Sequence, residues 1–466
     1  MIYFLGVAGT GMSAAAGLLK SIGENVVGSD QNIFSPAKEV LEKANVIVRT
    51  PYDPKNIPSN VSCAVIGNTI SKGHPELEAI LAKNIPITSF PAIISEKILK
   101  NKIPIVVAGT HGKTTTTSMI AWILHSLGHE PGYLIGGQPL NFENSYSVGK
   151  GSLFVIEGDE YDTAYFDKES KFLHYRPSHV VLNRVEYDHA DIFEDIDAVH
   201  VMFKKLLHKI PNNRLIVNTD HPEMAEFINN RDGYIQTSII GQGDISMTEV
   251  QVKNGIWTSL VNTKMWGSFK IQTKCGGQHN QMNFLQALGA IQSLVDAGHI
   301  PNPTAKDLAS AIQSFQGVQR RLFPLANQNN IQVLEDFAHH PTATRYLLET
   351  LRTNNPDRRL IVAFEPKNAT SRRNTFADQY ADAFQNADQV LIGECPEDKR
   401  IPEKQRMNTK TLAENIGKHA HAYQDNNQLY QWLVEHSTPG DTVVFLSCGS
   451  FSGIQHQFAR HIDSHP

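Results

Sequence analysis

The segment VVAGTHGKTTTTSMI, residues 106–120, constrains the fold more than any other part of the chain. An apolar strand runs into Gly109, and a helical pattern starts directly after Gly112. Glycines permit a tight turn that brings backbone N–H groups toward a phosphate, and the helix N-terminus adds positive potential. At this position after the turn, we expect Lys113 to contact a terminal phosphate and the Thr114 hydroxyl to bind Mg²⁺.

This loop is a shortened form of the GxxxxGK[ST] pattern, because Val107 stands where the first glycine usually falls. A helix that merely begins at a glycine turn is the alternative interpretation. The ordered succession of strand, glycines, Lys, Thr and helix favours a phosphate-binding loop.

Short apolar runs alternate with helical patterns through most of the chain, which is typical of βαβ units and a mainly parallel sheet. At roughly 150 residues per domain, a chain of 466 residues corresponds to about three domains. Changes of pattern near residues 102 and 323 predict an α/β protein of three parts. A Rossmann-like domain spans 1–102, a central α/β domain with the phosphate loop and a small β segment spans 103–323, and a second Rossmann-like domain spans 324–466.

The individual elements follow from the same patterns. Half-exposed antiparallel strands are expected for WTSLV and WGSFKIQ within residues 234–275. Other strands are predicted at residues 2–7, 25–29, 103–110, 153–159, 179–185, 214–220, 331–337, 359–366, 389–394 and 442–450, and helices at 11–22, 113–127, 279–297 and 304–314.

A second glycine turn, GVAGTG at residues 6–11, follows the first predicted strand. Asp30 ends the next strand about 20 residues further on, as a dinucleotide-binding fold requires. Because the glycines are spaced GxxGxG rather than GxGxxG, a purely structural turn is the alternative. The pattern favours a site for a nucleotide diphosphate. No basic segment precedes this uncharged opening stretch and glycines interrupt it, so neither a signal peptide nor a membrane anchor is expected.

Composition excludes several other classes of protein. The formal net charge is −5, which argues against a protein that coats nucleic acid. With 41% apolar and 19% charged residues, the chain has an ordinary globular composition. Its four cysteines lie far apart without a CxxC pair, so neither a disulfide framework nor a structural zinc site is expected, and a reducing cytoplasm fits best.

Acidic and imidazole side chains follow two of the predicted strands of the central domain. Glu157, Asp159, Glu160 and Asp162 lie at and just after the end of the strand predicted at 153–159, and Asp188, His189 and Asp191 follow the next strand. Strand carboxyl ends gather at one edge of an open α/β sheet, where ligands bind. Solvated loop acids are the alternative for any one of them. Because a phosphate loop lies in the same domain, a Mg²⁺ site is the stronger prediction.

Six stretches together resemble the Mur ligases, the ATP-dependent enzymes that form amide bonds in peptidoglycan assembly. They lie in all three predicted domains, so the resemblance covers nearly the whole chain and implies the three-domain Mur ligase architecture. The stretches are GTHGKTTT (109–116), EGDEYD (157–162), YDHADIF (187–193), GQHNQMNFLQA (277–287), GVQRRL (317–322) and EDFAHHPTA (335–343).

The resemblance implies ATP and Mg²⁺ as cofactors and a role for each matching position. Lys113 would act on the ATP phosphates, Thr114 and Glu157 would hold one Mg²⁺, and His189 would help to hold a second. The implied residues are Gly109, Thr110, His111, Gly112, Lys113, Thr114, Thr115, His279, Asn280, Asn283, Arg321 and Asp336 for ATP, Gly9, Gly11 and Asp30 for a UDP-sugar, and His340, Lys367 and Arg373 for a peptide.

Some of these positions have a plainer interpretation without the resemblance. His279 and Asn280 fit a helix start, since Asn is a good cap. His340 before Pro341 fits a helix entry, because proline is favoured in a first turn. Arg321 and its neighbour Arg320 fit a solvated pair.

Within the family, DKESKFLHY (167–175), YDHADIF, DFAHHPTA and FEPK (364–367) look most similar to members that act in peptidoglycan recycling. Those members join UDP-N-acetylmuramate to the peptide L-alanyl-γ-D-glutamyl-meso-diaminopimelate. The alternative is the branch that adds L-alanine to the same UDP-sugar during synthesis. In either case, the carboxylate attacks the γ-phosphate of ATP, and an amine then displaces phosphate from the acyl phosphate.

The resemblance implies small-molecule partners, no nucleic acid, no membrane insertion, and a monomer or weak homo-oligomer. A nicotinamide-dependent oxidoreductase built on GVAGTG and a non-catalytic nucleotide-binding protein are the alternatives from other classes. Hydride transfer needs neither the phosphate loop nor its acidic partners, and the intact Lys113 and Glu157 argue against a dead site.

Three positions depart from the family pattern. His200 aligns near a lysine that several Mur ligases carbamylate, so no carbamate is expected. The segment after FEP reads Lys-Asn-Ala-Thr at 367–370 instead of Arg-Ser-Asn-Thr, and residues 447–453 replace a glycine-rich SNGGFGG loop. The last two departures leave the ATP chemistry intact and concern the peptide contacts.

Overall fold

The computed structural model describes residues 1–211, 214–228, 233–239 and 243–464. Within these ranges, three sheets of five, ten and six strands follow one another along the chain, and a small hairpin accompanies the second sheet. Helices flank the sheets, so the predicted α/β class with Rossmann-like parallel sheets is confirmed. No helix in the described part combines the length and hydropathy that crossing a membrane requires.

The first sheet has five parallel strands in the order β3-β2-β1-β4-β5. The order reverses beside β1, so the GVAGTG turn leaves the sheet at a topological switch point, where ligands bind in open α/β sheets. The elements are β1 Ile2–Leu5, α1 Thr10–Ser21, β2 Val26–Ser29, α2 Ala37–Lys43, β3 Ile47–Arg49, β4 Cys63–Ile66, α3 Pro75–Ala82, β5 Ile87–Thr88 and α4 Phe90–Lys97, with short 3₁₀ turns at Pro54–Asn56 and Leu99–Asn101.

The second sheet has ten strands in the order β17-β16-β15-β14-β13-β12-β6-β9-β7-β8. Its elements are β6 Ile103–Ala108, α5 Lys113–Ser126, β7 Gly132–Leu134, β8 Tyr146–Ser147, β9 Leu153–Gly158, β12 His179–Leu182, α6 Ile196–Leu207, β13 Leu215–Asn218, α7 Pro222–Phe227, β14 Ile235–Ser238, β15 Ile245–Lys253, β16 Ile256–Thr263, β17 Gly267–Thr273, α8 Gln278–Asp296 and α9 Ala305–Gln313. The hairpin consists of β10 Asp162–Ala164 and β11 Asp167–Ser170, followed by the 3₁₀ turn Lys171–His174.

The middle of this sheet explains where a site can form. β6 pairs in parallel with β9 on one side and β12 on the other, and Ala108 is in register with both Gly158 and Leu182. All three strands are almost wholly buried, as expected for strands covered by helices on both faces. Their carboxyl ends therefore bring the phosphate loop, the EGDEYD turn and the segment after Leu182 to one edge.

The third sheet has six strands in the order β18-β19-β23-β20-β21-β22, all parallel except the edge strand β18. Its elements are β18 Phe323–Gln328, β19 Ile331–Asp336, α10 Pro341–Asn354, β20 Arg359–Phe364, α11 Ala377–Ala383, β21 Gln389–Ile392, α12 Thr409–Ile416, β22 Ala420–Ala422, α13 Asn426–His436, β23 Asp441–Leu446 and α14 Ile454–Ser464. Short 3₁₀ turns lie at Asn374–Phe376, Glu403–Gln405 and Phe451–Gly453.

Every strand and helix predicted from the sequence has a counterpart, including the antiparallel pair β16 and β17. Of the ten strands predicted outside residues 234–275, the one at 25–29 ends where β2 ends, and the other nine run one to four residues past the observed carboxyl ends into the following loops. The patterns miss short strands such as β3, β5 and β22, which have only two or three residues each.

His179 on β12 predicts a measurable dependence of stability on pH. The ring is buried, with Nδ1 2.7 Å from Ser293 Oγ, and burial lowers its pKa to about 3, helped by Arg214. Between pH 6.5 and 3 the unfolded chain binds a proton that the folded chain does not, so this group weakens the fold by about 1.4 kcal/mol per pH unit as pH falls. We expect the melting temperature of His179→Leu to fall less steeply from pH 7 to pH 5 than that of wild type.

The exposed His421 provides the matched control for this measurement. His421→Leu is expected to keep the wild-type slope of melting temperature against pH. Equal slopes for all three proteins would contradict the assignment to His179.

Candidate active site

The phosphate loop joins β6 to α5 and requires glycine for two reasons. Gly109 and Gly112 have φ angles of 125° and 79°. A Cβ atom on Gly112 would lie 2.6 Å from Asn283 Oδ1 and 2.7 Å from Asn183 Nδ2. Gly112 is also the N-cap of α5 and brings no side chain to the first turn. The first amides of α5 are therefore available to an anion.

Lys113 lies folded back over this loop. Its Nζ donates to Gly109 O at 2.6 Å and Thr110 O at 3.2 Å, and lies 3.0 Å from Glu160 Oε2. The charge of Glu160 raises the pKa of Lys113 in spite of burial. Burial alone would raise the pKa of Glu160, but Lys113 and His189 lower that pKa to about 2. Lys113 is thus charged and held beside the loop amides.

Glu157 at the end of β9 faces the start of α5. Its Oε2 accepts from Thr114 Oγ1 at 3.1 Å, and its Oε1 accepts from Gly136 N at 2.5 Å. Burial raises the pKa of Glu157 to about 7, and the nearby Asp159 adds to the effect. This carboxylate therefore lacks a full counter-charge, and a cation bound beside Thr114 would supply it.

His189 stands next to Glu160 in the segment after β12. Its Nε2 lies 2.8 Å from Glu160 Oε1, and the neighbouring Asp188 lies 3.5 Å from His339 Nε2. His189 has φ 56°, an uncommon backbone conformation for a non-glycine residue. Burial opposes protonation of His189, but Glu160 raises its pKa overall.

The donors in this corner fit Mg²⁺. Glu157 offers carboxylate oxygens and Thr114 a hydroxyl oxygen, and these two side chains contact each other. The imidazole of His189 contacts Glu160, which belongs to the same turn as Glu157. Mg²⁺ takes few protein ligands and keeps waters and substrate phosphates. The structure therefore brings together the four residues predicted for phosphate and metal, namely Lys113, Thr114, Glu157 and His189. Glu160, one of the acids that the sequence groups after β9 but without a role of its own, is the direct partner of Lys113 and His189.

A cavity of about 380 Å³ adjoins the loop, between the second and third sheets. It is the kind of enclosed cleft that holds a nucleotide-sized ligand. Eight residues predicted for ATP lie in its wall: His111, Gly112, Thr115, His279, Asn280, Asn283, Arg321 and Asp336. The other four, Gly109, Thr110, Lys113 and Thr114, form the adjoining loop and the start of α5.

The wall of this cavity also includes polar groups from α8 and β19. Burial and the charge of Arg321 lower the pKa of His279 to about 4, so its ring is neutral at pH 7. Asp336 at the end of β19 accepts from Leu322 N and Ala338 N, both at 2.7 Å. Tyr346 on α10, which the sequence prediction missed, places its ring 6.4 Å from that of His279. No sequence pattern marks an aromatic residue of this helix as a cavity residue.

Glu186 links the phosphate loop to α10. Its Oε2 lies 2.8 Å from His111 Nε2, and its Oε1 accepts from Thr342 Oγ1 at 3.1 Å and lies 2.7 Å from Arg184 Nη2. The ring of His340 lies 4.7 Å from that of His111. His111, Glu186 and His340 have ligand atoms within 4.8 Å of one another, but Arg184 already neutralises the carboxylate. The cluster is therefore best described as a contact between the second and third sheets.

The residues predicted for a UDP-sugar line a separate cavity of about 460 Å³ at the first sheet. Gly9 is the N-cap of α1 and brings no side chain, so the first amides of this helix face an open space, as at the phosphate loop. Asp30 Oδ2 accepts from Ala8 N at 2.8 Å, and Tyr52 donates its hydroxyl to Oδ1 at 3.2 Å. Asp30 thus holds the shape of the glycine turn while also lining the cavity with Gly9 and Gly11.

The three residues predicted for the peptide make different contacts. His340 is the N-cap of α10 and accepts from Thr342 N through Nδ1 at 3.3 Å. Lys367 Nζ lies 3.5 Å from Glu365 Oε1. Arg373 Nη2 donates to Ala190 O at 3.1 Å, directly beside His189 in sequence. His340 therefore belongs to the cluster around Glu186, whereas Arg373 reaches the loop that carries His189.

Three family models together match most of the chain. Residues 1–101 match the Mur ligase family, catalytic domain; residues 107–291 match the Mur ligase middle domain; and residues 320–449 match the Mur ligase, glutamate ligase domain. The chain belongs to the Mur ligase family. It is therefore an ATP-dependent ligase that forms an amide bond.

Among Mur ligases, three relatives are especially similar. An Escherichia coli (strain K12) protein named UDP-N-acetylmuramate--L-alanyl-gamma-D-glutamyl-meso-2,6-diaminoheptandioate ligase is 35% identical, over 97% of this chain and 96% of its own length. A UDP-N-acetylmuramate--L-alanine ligase of Desulfitobacterium hafniense is 31% identical, over 96% and 97%. The crystal structure of a murein peptide ligase from Psychrobacter arcticus 273-4 is 31% identical, covers 100% of this chain and 99% of that chain, and has a TM-score of 0.74.

Two departures from the Mur ligase pattern lie against each other in the structure. A Cβ atom on Gly449 would lie 2.8 Å from Lys367 Cγ, so the changed segments 367–370 and 447–453 share one contact. Thr370 Oγ1 accepts from Ala190 N at 3.3 Å, which joins the first segment to the loop with His189. His200, the third departure, lies on α6 with its ring 4.8 Å from that of Phe227. The absence of a carbamate there stays a prediction.

Proposed function

We propose that this Mur ligase joins the carboxylate of UDP-N-acetylmuramate to the amine of L-alanyl-γ-D-glutamyl-meso-diaminopimelate, with conversion of ATP to ADP and phosphate. The observation that carries the proposal is the 35% identity over 97% of the chain with a ligase named for these substrates. We propose peptidoglycan recycling as the cellular role of this chain, in line with the resemblance drawn from the sequence motifs. The alternative substrate, L-alanine, is supported by a relative of 31% identity.

A carboxylate is a poor acyl donor, because oxide or hydroxide would have to leave when an amine attacks it. Transfer of the γ-phosphoryl group from ATP to the carboxylate creates an acyl phosphate, and the amine then displaces phosphate through a tetrahedral intermediate. Phosphoryl transfer depends on positioning and charge stabilisation rather than on a covalent residue. Lys113 and the first amides of α5 serve this purpose in the proposal.

The remaining predicted residues take the following roles in the proposal. Thr114, Glu157 and His189 hold Mg²⁺, which neutralises charge on the phosphates when bound. His279, Asn280 and Asn283 receive the adenine, Asp336 the ribose, and Arg321 the phosphates. Gly9, Gly11 and Asp30 receive the UDP-sugar, and His340, Lys367 and Arg373 lie toward the peptide.

We also propose the division into domains at residues 1–102, 103–323 and 324–466. The hydrogen bonds of Glu186 and Arg373 across the second boundary support a C-terminal domain that closes on ATP. A cytoplasmic monomer or weak homo-oligomer that acts on small molecules, without nucleic acid or membrane insertion, completes the proposal.

Phosphate release tests the choice of amine. With ATP, Mg²⁺ and UDP-N-acetylmuramate, we expect release with the diaminopimelate tripeptide and little release with L-alanine. Release with L-alanine alone would assign the chain to the synthetic branch and leave the ATP site as proposed. Omitting either the UDP-sugar or the amine is the control, and turnover without them would contradict a ligase. An absorbance change from NAD(P)H would support the oxidoreductase alternative.

A further inference from the structure

The cavity that contains Gly9 and Gly11 also includes Lys171 in its wall. Lys171 begins the 3₁₀ turn that follows the β10–β11 hairpin, so it comes from the central domain, whereas the two glycines come from the first domain. Its side chain is only 16% exposed. A largely buried lysine is stable only beside anionic or other electron-rich groups, because burying an unpaired ammonium is costly.

Both the backbone and the side chain of Lys171 are fixed by neighbouring residues. Its backbone N–H donates to Tyr161 O at 3.2 Å, and its Nζ lies 3.1 Å from Asp159 Oδ2. The Nζ also lies 5.5 Å from the centre of the Phe90 ring and 5.4 Å from that of Tyr161. An ammonium has three N–H donors, and Asp159 takes one of them. The aromatic rings stabilise the cation without using the other donors.

Lys171 also lies between the two predicted ligand sites. Its partner Asp159 belongs to the turn that carries Glu157 and Glu160. Glu157 contacts Thr114 and Glu160 contacts Lys113, at the phosphate loop. The cavity wall at Lys171 is therefore the side that approaches the γ-phosphate, whereas the glycine turn forms the other side.

We infer that Lys171 binds the carboxylate of the UDP-sugar acid and orients it toward the γ-phosphate. This inference rests on the proposed function, which supplies a substrate with two anionic parts, a diphosphate and a carboxylate. The uncapped N-terminus of α1 at Gly9 offers amides to the diphosphate. Lys171, beside the turn of Glu157, is the cation placed for the reacting end of the same molecule.

Binding measurements on three ligands test the inference. Isothermal titration would give the Kd of UDP-N-acetylmuramate, of UDP-N-acetylglucosamine, which lacks the carboxylate, and of UDP. For Lys171→Met we expect UDP-N-acetylmuramate to bind about 10- to 100-fold more weakly, as for a lost charge-assisted hydrogen bond. The other two ligands should bind as they do to wild type. Lys171→Arg, which keeps the charge, should recover part of the loss.

Lys168 offers a matched control on the same hairpin. It is 71% exposed and pairs with Asp162 at the surface, so Lys168→Met should bind all three ligands normally. Should Lys171→Met fail to fold, the shorter Lys171→Gln removes the charge while it keeps a hydrogen-bond donor. Unchanged binding of UDP-N-acetylmuramate by the folded variant would overturn the inference. Equal weakening of all three ligands would overturn it in favour of the diphosphate, and a wild-type protein that binds no UDP-N-acetylmuramate would refute the proposed function itself.

Discussion

Lys113→Ala is expected to lower the rate of phosphate release by at least about 10²–10³-fold while the protein remains folded. Lys113 is the cation that the phosphate loop presents beside the first amides of α5, and its Nζ lies within hydrogen-bonding distance of two loop carbonyls. With the γ-phosphoryl group bound, this charge would stabilise the negative charge that develops during transfer. Alanine removes the ammonium together with its hydrogen bonds to Gly109 O and Thr110 O.

The measurement has to separate lost catalysis from lost folding. Lys113→Ala leaves Glu160 buried with His189 as its remaining ion-pair partner, which costs stability. The double variant Lys113→Ala/Glu160→Gln removes the buried carboxylate charge that has lost Lys113 and should melt at a higher temperature than the single variant. Both variants should show the same deep loss of activity. Near-normal turnover by either folded protein would refute the assignment of this loop.

The strand, loop and helix around Lys113 were predictable because their signals are local. An apolar run followed by glycines, Lys and Thr permits few conformations, and Gly112 tolerates no side chain where Asn183 and Asn283 approach it. The parallel pairing of β6 with β9 and β12 follows from the buried character of all three strands. That pairing brings Glu157 to the phosphate loop, as the sequence pattern predicts.

The role of Glu160 was not predictable in the same way. The turn EGDEYD offers four carboxylates within six residues, and composition does not distinguish among them. The last residues of β9 and the turn after it direct Glu157 to Thr114, Asp159 to Lys171, and Glu160 to Lys113. Which acid meets which cation depends on how the hairpin folds over the turn, and the short polar strands of that hairpin carry little sequence signal.

Contacts between distant parts of the chain could not be predicted from sequence patterns either. Glu186 accepts a hydrogen bond from Thr342, 156 positions further on, and lies beside His111 in the phosphate loop. Such a contact depends on how two separately folded sheets meet. Glu186 joins the phosphate loop to α10. The third sheet is therefore in direct contact with the loop that borders the ATP cavity.

Glu157→Gln is expected to have the second large effect, through Mg²⁺. The substitution keeps the size of the side chain and removes the carboxylate that faces Thr114. We expect the Mg²⁺ concentration for half-maximal rate to rise and the saturated rate to fall by about 10²–10³-fold, as for loss of an electrostatic group at the reacting phosphate. Titrating Mg²⁺ at saturating ATP measures both effects.

The melting temperature without Mg²⁺ distinguishes a role of Glu157 in metal binding from a merely structural role. Burial and Asp159 leave Glu157 without a full counter-charge, as the rise of its pKa to about 7 indicates. Removing such a charge should raise the melting temperature in the absence of Mg²⁺, even though activity falls. Glu169→Gln, on the half-exposed surface of the hairpin, should change neither property. A Glu157→Gln protein that melts below wild type without Mg²⁺ yet responds to Mg²⁺ normally would show that Glu157 supports the fold and holds no metal.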